Sequence, residues 1–185
     1  MRRIGYATAA LAVGALIALP LSTALQAQKT TDTGTGKGGS PHVKTEWTID
    51  GAHLSIEYGR PALKGRPEAT LMPPGAPWRT GADVATIITS DKPLKFGKVS
   101  LPPGSYTINT QPGTEWQLIF GRLGDPKQWG VPYKPELELG RTPMKVSKVT
   151  APVEQLTISV DDTPGGATLR IEWGMTSASA PFTVG

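Results

Sequence analysis

The stretch Thr45–Pro61, TEWTIDGAHLSIEYGRP, alternates apolar and polar residues on both sides of the dipeptide Asp50-Gly51. Asp-Gly between alternating segments is a strong hairpin signal, because a type I′ turn needs positive φ at both of its central residues. With this turn, two residues face each other when their numbers have the same sum as 50 and 51. The sequence therefore predicts two antiparallel strands in a defined register.

This register separates an apolar face from a polar face. The apolar face pairs Val43 with Tyr58, Thr45 with Ile56, Trp47 with Leu54 and Ile49 with Ala52. The polar face pairs Lys44 with Glu57, Glu46 with Ser55 and Thr48 with His53. A slip by one residue would bury the charged set, so the register is strongly specified. We interpret the charged residues of the stretch as the solvent face of a hairpin, not as an active site.

The same register argues against a metal site at the two histidines. His42 lies opposite Gly59 and His53 lies opposite Thr48, six positions further along the ladder. At about 3.3 Å per residue this places the histidines roughly 20 Å apart. Metal ligands lie about 2 Å from their ion, so these two cannot share one. The chain also lacks a P-loop, a dinucleotide-binding fingerprint, an EF-hand and zinc-ligand spacing, so we expect no metal and no cofactor.

From Pro41 onward apolar residues alternate, and Gly/Pro clusters interrupt them about every ten residues. This pattern predicts an all-β fold: a single antiparallel β-sandwich, jelly-roll-like, over residues 41–185. A second hairpin is predicted near the C-terminus. Its expected pairs are Val160 with Ala167, Ile158 with Leu169 and Leu156 with Ile171.

The N-terminal segment predicts export. Arg2 and Arg3 precede an apolar run that ends before Pro20, and small residues at Ala24 and Ala27 offer cleavage positions. This is the pattern of a secretory signal peptide, residues 1–27, with cleavage preferred after Ala27. Residues 28–40 are polar and rich in Gly and Thr, which predicts a disordered linker. We expect a secreted or periplasmic protein with no membrane span after cleavage.

Composition limits the classes of partner. The full chain has 19 basic and 15 acidic residues, and removing Arg2 and Arg3 leaves seventeen against fifteen, a net charge of +2. A charge this small does not support nucleic-acid binding. There is no cysteine, so the domain uses no disulfide. A chain of this length can form an adequate core by burial alone.

Several segments together resemble a known family. They include DGAHLSIEYGRPALKGR, PWRTGADVATIIT, LPPGSYTINTQPGTEWQLIF and QWGVPYKPELELGRTPMKV. In this order they resemble the secreted bacterial family catalogued as domain of unknown function 2911, over nearly all of residues 40–182. The resemblance implies a mostly β, secreted protein and assigns no activity. In the family pattern WRTGA continues with Asn-Glu, whereas Asp83-Val84 stand here, so no role can be given to that glutamate.

Two long loops carry the candidate ligand-binding residues. Loop 59–80 has four basic residues against the single acid Glu68, and loop 121–143 carries aromatic residues. Arginine binds carboxylate and phosphate through its planar fork, and loop aromatics can stack on a sugar. The opposing interpretation is that the arginines bond loop carbonyls and that the aromatics anchor a loop. The candidates are Arg60, Arg66, Trp78, Arg79, Asp83, Trp129 and Tyr133.

Three functions remain open from the sequence. The first is a non-catalytic ligand-binding or envelope-associated module that takes a small anion, a glycan or a cell-wall fragment. The second is a hydrolase or isomerase with a site around Asp83 and Arg79. The third is a purely structural protein. No G-x-S-x-G motif and no cysteine are present, and no catalytic residue is assigned.

Export generates the first prediction. Because cleavage is preferred after Ala27, the mature protein should begin at Gln28. Intact-mass spectrometry of the exported protein checks this. A mass matching the chain from Met1 would contradict the signal-peptide interpretation, and a start at Leu25 would place cleavage after Ala24.

Overall fold

The hairpin about Asp50-Gly51 organises the fold. In the computed structural model, which describes residues 28–124 and 132–185, the hairpin consists of β2 (Pro41–Ile49) and β3 (Ala52–Gly59). Asp50 and Gly51 have φ values of 47° and 73°, as a type I′ turn requires. Every predicted pair is confirmed, from His42 opposite Gly59 to Ile49 opposite Ala52. The predicted signal peptide, residues 1–27, lies outside the described residues.

The remaining strands confirm the all-β prediction. They are β1 (Lys29–Thr35), β4 (Ala82–Ser90), β5 (Leu94–Phe96), β6 (Val99–Leu101), β7 (Gly104–Gln111), β8 (Trp116–Arg122), β9 (Glu138–Thr163) and β10 (Gly166–Val184). All pairings are antiparallel, in the order β1-β2-β3-β4-β7-β8-β9-β10-β5-β6. A single helical turn, α1 (Glu68–Leu71), and a 3-10 turn, Pro135–Leu137, are the helical segments of the described chain. No helix of this part is long and apolar enough to cross a bilayer.

Two long strands join the halves of the sheet. The first part of β9 pairs with β8 and the remainder pairs with β10. The strands thus form one continuous hydrogen-bonded sheet of ten strands, which confirms the all-β antiparallel prediction and leaves its sandwich detail a prediction. Both halves contribute to one core: the Ile158 amide donates to the Tyr58 hydroxyl at 3.0 Å, linking β9 to β3. Phe96 packs with its ring centroid 4.7 Å from those of both Phe120 and Phe182.

The second hairpin differs from its prediction by two residues. Val160 faces Leu169, and Thr163 faces Gly166 across the turn Pro164-Gly165. Gly165 has φ 80°, which suits the third position of a type II turn with proline before it. Because the shift is an even number of residues, each side chain keeps its face, and Leu169 is still buried.

The prediction of disorder for residues 28–40 is wrong for Lys29–Thr35. This segment forms β1 and pairs with β2, so that Lys29 lies opposite Glu46. All seven of its side chains are exposed, which agrees with the lack of apolar residues. The edge of β2 offers unpaired N–H and C=O groups, and pairing with them requires no buried side chain. The composition of this segment therefore indicates that its side chains do not enter the core, but it does not indicate that its backbone pairs with β2.

The hairpin register generates a stability prediction. Ile56 is fully buried and its neighbour Glu57 is exposed. We expect Ile56→Ala to lower the free energy of unfolding by about 2–5 kcal/mol, because it leaves a cavity. Glu57→Ala, on the other face of the same strand, should change it by about 0.5 kcal/mol or less. Urea denaturation measures both. Equal losses would contradict the assignment of faces.

Candidate functional site

A cavity of about 370 Å³ lies between segments 38–41 and 60–83, and Gln155 and Trp173 also line it. Five of the seven candidate residues line it. They come from the loop after β3 and from the start of β4, which the pairing of those strands brings to one end of the sheet. The five are Arg60, Arg66, Trp78, Arg79 and Asp83.

Backbone oxygens orient two of the arginines. Arg60 donates from Nε to the carbonyl of Leu156 and from Nη2 to the hydroxyl of Thr157, each at 3.0 Å. Arg66 is exposed and donates to two carbonyl oxygens of segment 62–63, at 2.7 and 2.9 Å. These partners are neutral, so they fix the guanidinium groups without cancelling their charge. In residues 28–124 and 132–185, neither arginine forms an ion pair with a carboxylate.

The loop's single acid points elsewhere. Glu68 accepts hydrogen bonds from the Met175 amide and from the Thr176 hydroxyl, both at 2.6 Å. The carboxylate thereby anchors α1 to β10. It does not line the cavity.

The backbone around Arg79 and Asp83 is strained. Thr80 and Asp83 have φ values of 56° and 63°, in the left-handed region that side chains other than glycine rarely adopt. Arg79 donates from Nη1 to the Asp83 carbonyl at 3.0 Å, and Thr86 donates from Oγ1 to the Thr80 carbonyl at 2.9 Å. Such strain persists only where surrounding contacts hold it, and it concentrates at functional sites.

Asp83 is buried and bonds to a histidine. Oδ2 of Asp83 lies 3.0 Å from Nε2 of His42, and the two side chains are 9% and 15% exposed. The strand pairing explains the contact: His42 lies opposite Gly59, and Gly59 lies opposite Ala82. Because Gly59 has no side chain, His42 reaches across β3 to β4.

Sequence reasoning missed this pair. The predicted register places Gly59 opposite His42 and gives this histidine no acidic partner. Gly59 was nevertheless a usable signal. A Cβ there would overlap the Ala82 carbonyl oxygen and lie 3.0 Å from His42 Nε2. A glycine between two strands can mark a close approach of this kind.

The turn after β1 covers the pair. A Cβ on Gly36 would overlap Oδ2 of Asp83 and come within 2.7 Å of Nε2 of His42. The turn is closed by hydrogen bonds at 2.9 Å from the Gly36 amide to Ser40 and from the Gly39 amide to Gly36. The segment predicted as a linker is therefore part of the cavity wall.

Trp78 forms the apolar part of the cavity. Its ring stacks on that of the buried Trp173, with centroids 5.5 Å apart and an interplanar angle of 11°. Its backbone exchanges two hydrogen bonds with Thr110, at 2.7 and 2.9 Å. The stacking therefore positions the half-buried indole, and the hydrogen bonds fix the backbone that carries it.

The structure places Tyr133 outside the cavity. Its hydroxyl donates to the carboxylate of Glu138, which also accepts from Arg141 Nε at 2.8 Å. Burial, reinforced by this carboxylate, raises the pKa of Tyr133 to about 12. The hydrogen bond from Arg141 lowers the pKa of Glu138. Trp129, the seventh candidate, lies outside the described residues.

The cavity suits an anion. Four basic side chains line it, namely those of Arg60, Lys64, Arg66 and Arg79, against the single carboxylate of Asp83. Among the described residues no three His, Asp or Glu side chains are grouped as metal ligands. The arrangement defines an all-β antiparallel domain with a basic cavity at one end of its sheet.

The comparison with protein families agrees with the resemblance seen in the sequence. The profile of the protein family of unknown function DUF2911 matches residues 40–182, and the chain belongs to this family. No curated protein and no solved structure matches the chain.

Two neighbouring glycines provide a test of the covering turn. Gly36→Ala should displace the turn from the His42–Asp83 pair, because its methyl group has no space. Gly38→Ala is the matched control, since a Cβ there meets only Asp83 Oδ1, at 3.8 Å. We expect amide hydrogen exchange in β1 to accelerate at least tenfold in the first variant and to stay unchanged in the second. Equal exchange in both variants would contradict this packing.

Proposed function

We propose that this domain is a non-catalytic binding module that takes a small phosphate- or carboxylate-bearing ligand in the cavity between segments 38–41 and 60–83. The observation that carries the proposal is the convergence of four basic side chains on one cavity with a single acid. The loop sequence alone left open whether its charges meet.

The electrostatics support an anionic ligand. Arg60 and Arg66 are held by carbonyl and hydroxyl oxygens, so their positive charge is available to a ligand. An arginine fork matches both carboxylate and phosphate, and its hydrogen bonds to an anion are about twice as strong as neutral ones. The Asp83 carboxylate is engaged by His42 rather than by these two arginines.

Preorganisation also supports binding. The loop contains Pro61, Pro67, Pro73, Pro74 and Pro77, and its two ends are fixed by pairing with neighbouring strands. Hydrogen bonds from the arginines to the backbone restrict their rotamers before a ligand arrives. A site ordered in advance spends less conformational entropy on binding. The volume of about 370 Å³ suits a small molecule.

An exported or envelope-associated location is part of the proposal. The basic, apolar and small-residue segments of residues 1–27 support it, since they follow the order of a signal peptide. Anionic glycans and cell-wall fragments carry the carboxylate or phosphate groups that the cavity suits.

Arg66 provides the test. We expect Arg66→Gln to weaken the binding of inorganic phosphate about tenfold, because it removes a charged hydrogen-bond donor at the cavity. Lys148→Gln is the matched control, with the same loss of charge on an exposed strand residue away from the cavity. Isothermal titration calorimetry at low ionic strength measures both affinities. Equal affinity of the two variants, or no phosphate binding by the unmodified protein, would refute the proposal.

The His42–Asp83 hydrogen bond favours a second candidate function, an acid–base hydrolase or isomerase. A carboxylate that orients an imidazole is a common element of such sites. A catalytic site predicts that 4-nitrophenyl phosphate or 4-nitrophenyl acetate is hydrolysed by the native protein and not by His42→Gln. A binding module predicts equal, background rates for both proteins.

A further inference from the structure

Asp83 has one oxygen committed and one available. Oδ2 bonds to His42, whereas Oδ1 has no hydrogen-bond partner among residues 28–124 and 132–185. Oδ1 faces Gly38, another cavity residue, and an ideal Cβ at Gly38 would lie 3.8 Å from it. Asp83 lines the cavity and its side chain is 9% exposed, so Oδ1 is the oxygen that a ligand can contact.

We propose that Asp83 Oδ1 accepts a hydrogen bond from a hydroxyl group of the ligand, so that the cavity selects a hydroxylated anion, a sugar phosphate or sugar acid, over a simple anion. This inference rests on the proposed function, because the basic side chains would hold the anionic group. His42 is a positioning residue in this arrangement, since its bond to Oδ2 fixes the direction of Oδ1.

The charges favour a hydroxyl over an ammonium donor. An ammonium group at Asp83 would have to enter a cavity that four basic side chains line, and like charges repel. A hydroxyl donates to the carboxylate without this repulsion. A ligand with no donor would instead bring its negative charge near Asp83 and leave Oδ1 unpaired. Sites built to bond a hydroxyl discriminate strongly against analogues that lack it.

The shape of the cavity agrees with a sugar-sized ligand. The stacked Trp78–Trp173 pair supplies an apolar aromatic wall of the cavity. Such a wall suits the C–H face of a sugar ring, while the basic side chains and Asp83 suit its anionic and hydroxyl groups.

Matched ligand pairs test the inference. Calorimetric titrations of the native protein compare glycerol 3-phosphate with propyl phosphate, and glucuronate with tetrahydropyran-2-carboxylate. In each pair the anionic group is kept and the hydroxyl groups are removed. We expect at least one hydroxylated member to bind about tenfold tighter than its partner, and the responding pair identifies the anionic group. Equal affinities within both pairs would overturn the inference.

Phosphoethanolamine and one variant assign the donor and the acceptor. Phosphoethanolamine should bind more weakly than glycerol 3-phosphate, and tighter binding would overturn the choice of a hydroxyl. In Asp83→Asn the preference within the responding pair should fall to about threefold or less, while the simple anion binds at least as tightly as before. An unchanged preference in this variant would overturn the role of Asp83. If Asp83→Asn does not fold, the affinity ratios within the two ligand pairs, measured on the native protein, still test the inference.

The same titrations separate this inference from the proposed function. If none of the anions binds the native protein, the binding module itself is refuted. If the simple and hydroxylated anions bind equally, the anion site stands and only the selection by Asp83 is refuted.

Discussion

The pairing of β2 with β3 is the constraint on which both the core and the cavity depend. The Asp50-Gly51 turn sets this pairing, and the pairing sends Trp47, Leu54 and Ile56 to the buried side. It also places His42 opposite Gly59 at the far end of the hairpin. A one-residue change of register would disturb the core and also separate His42 from Asp83. Fold and candidate site therefore share a single determinant.

The cavity depends on the absence of side chains at two glycines as much as on its charged residues. Gly59 leaves the space through which His42 reaches Asp83, and Gly36 allows the turn after β1 to lie on the pair. The strained backbone at Asp83 is held by the bond from Arg79 to its carbonyl. Charge, strain and close backbone approach meet at one end of the sheet, although the residues are distant in sequence.

Local patterns predicted what depends on local geometry. The Asp-Gly turn and the alternation around it were sufficient to predict the first hairpin. Of the five predicted ligand-binding residues that line the cavity, four are the arginines and the tryptophan of loop 59–80, and the fifth is Asp83. The contact between His42 and Asp83 depends on a third strand whose register the turn does not specify. The second hairpin shows the same limit, because alternation determines only whether a shift is odd or even. The pairing of β1 was missed because an edge strand binds through its backbone, which composition does not report.

The position of β1 has a practical consequence for work with this protein. Since Gly36 lies against Asp83, the segment that precedes β2 is part of the site and not a solvent-exposed attachment point. Affinity tags and fluorescent labels fused just before Gln28 would therefore be connected to the cavity wall by the seven residues of β1. Attachment beyond Gly185, whose amide bonds to Pro93 on another part of the sheet, keeps such additions away from it.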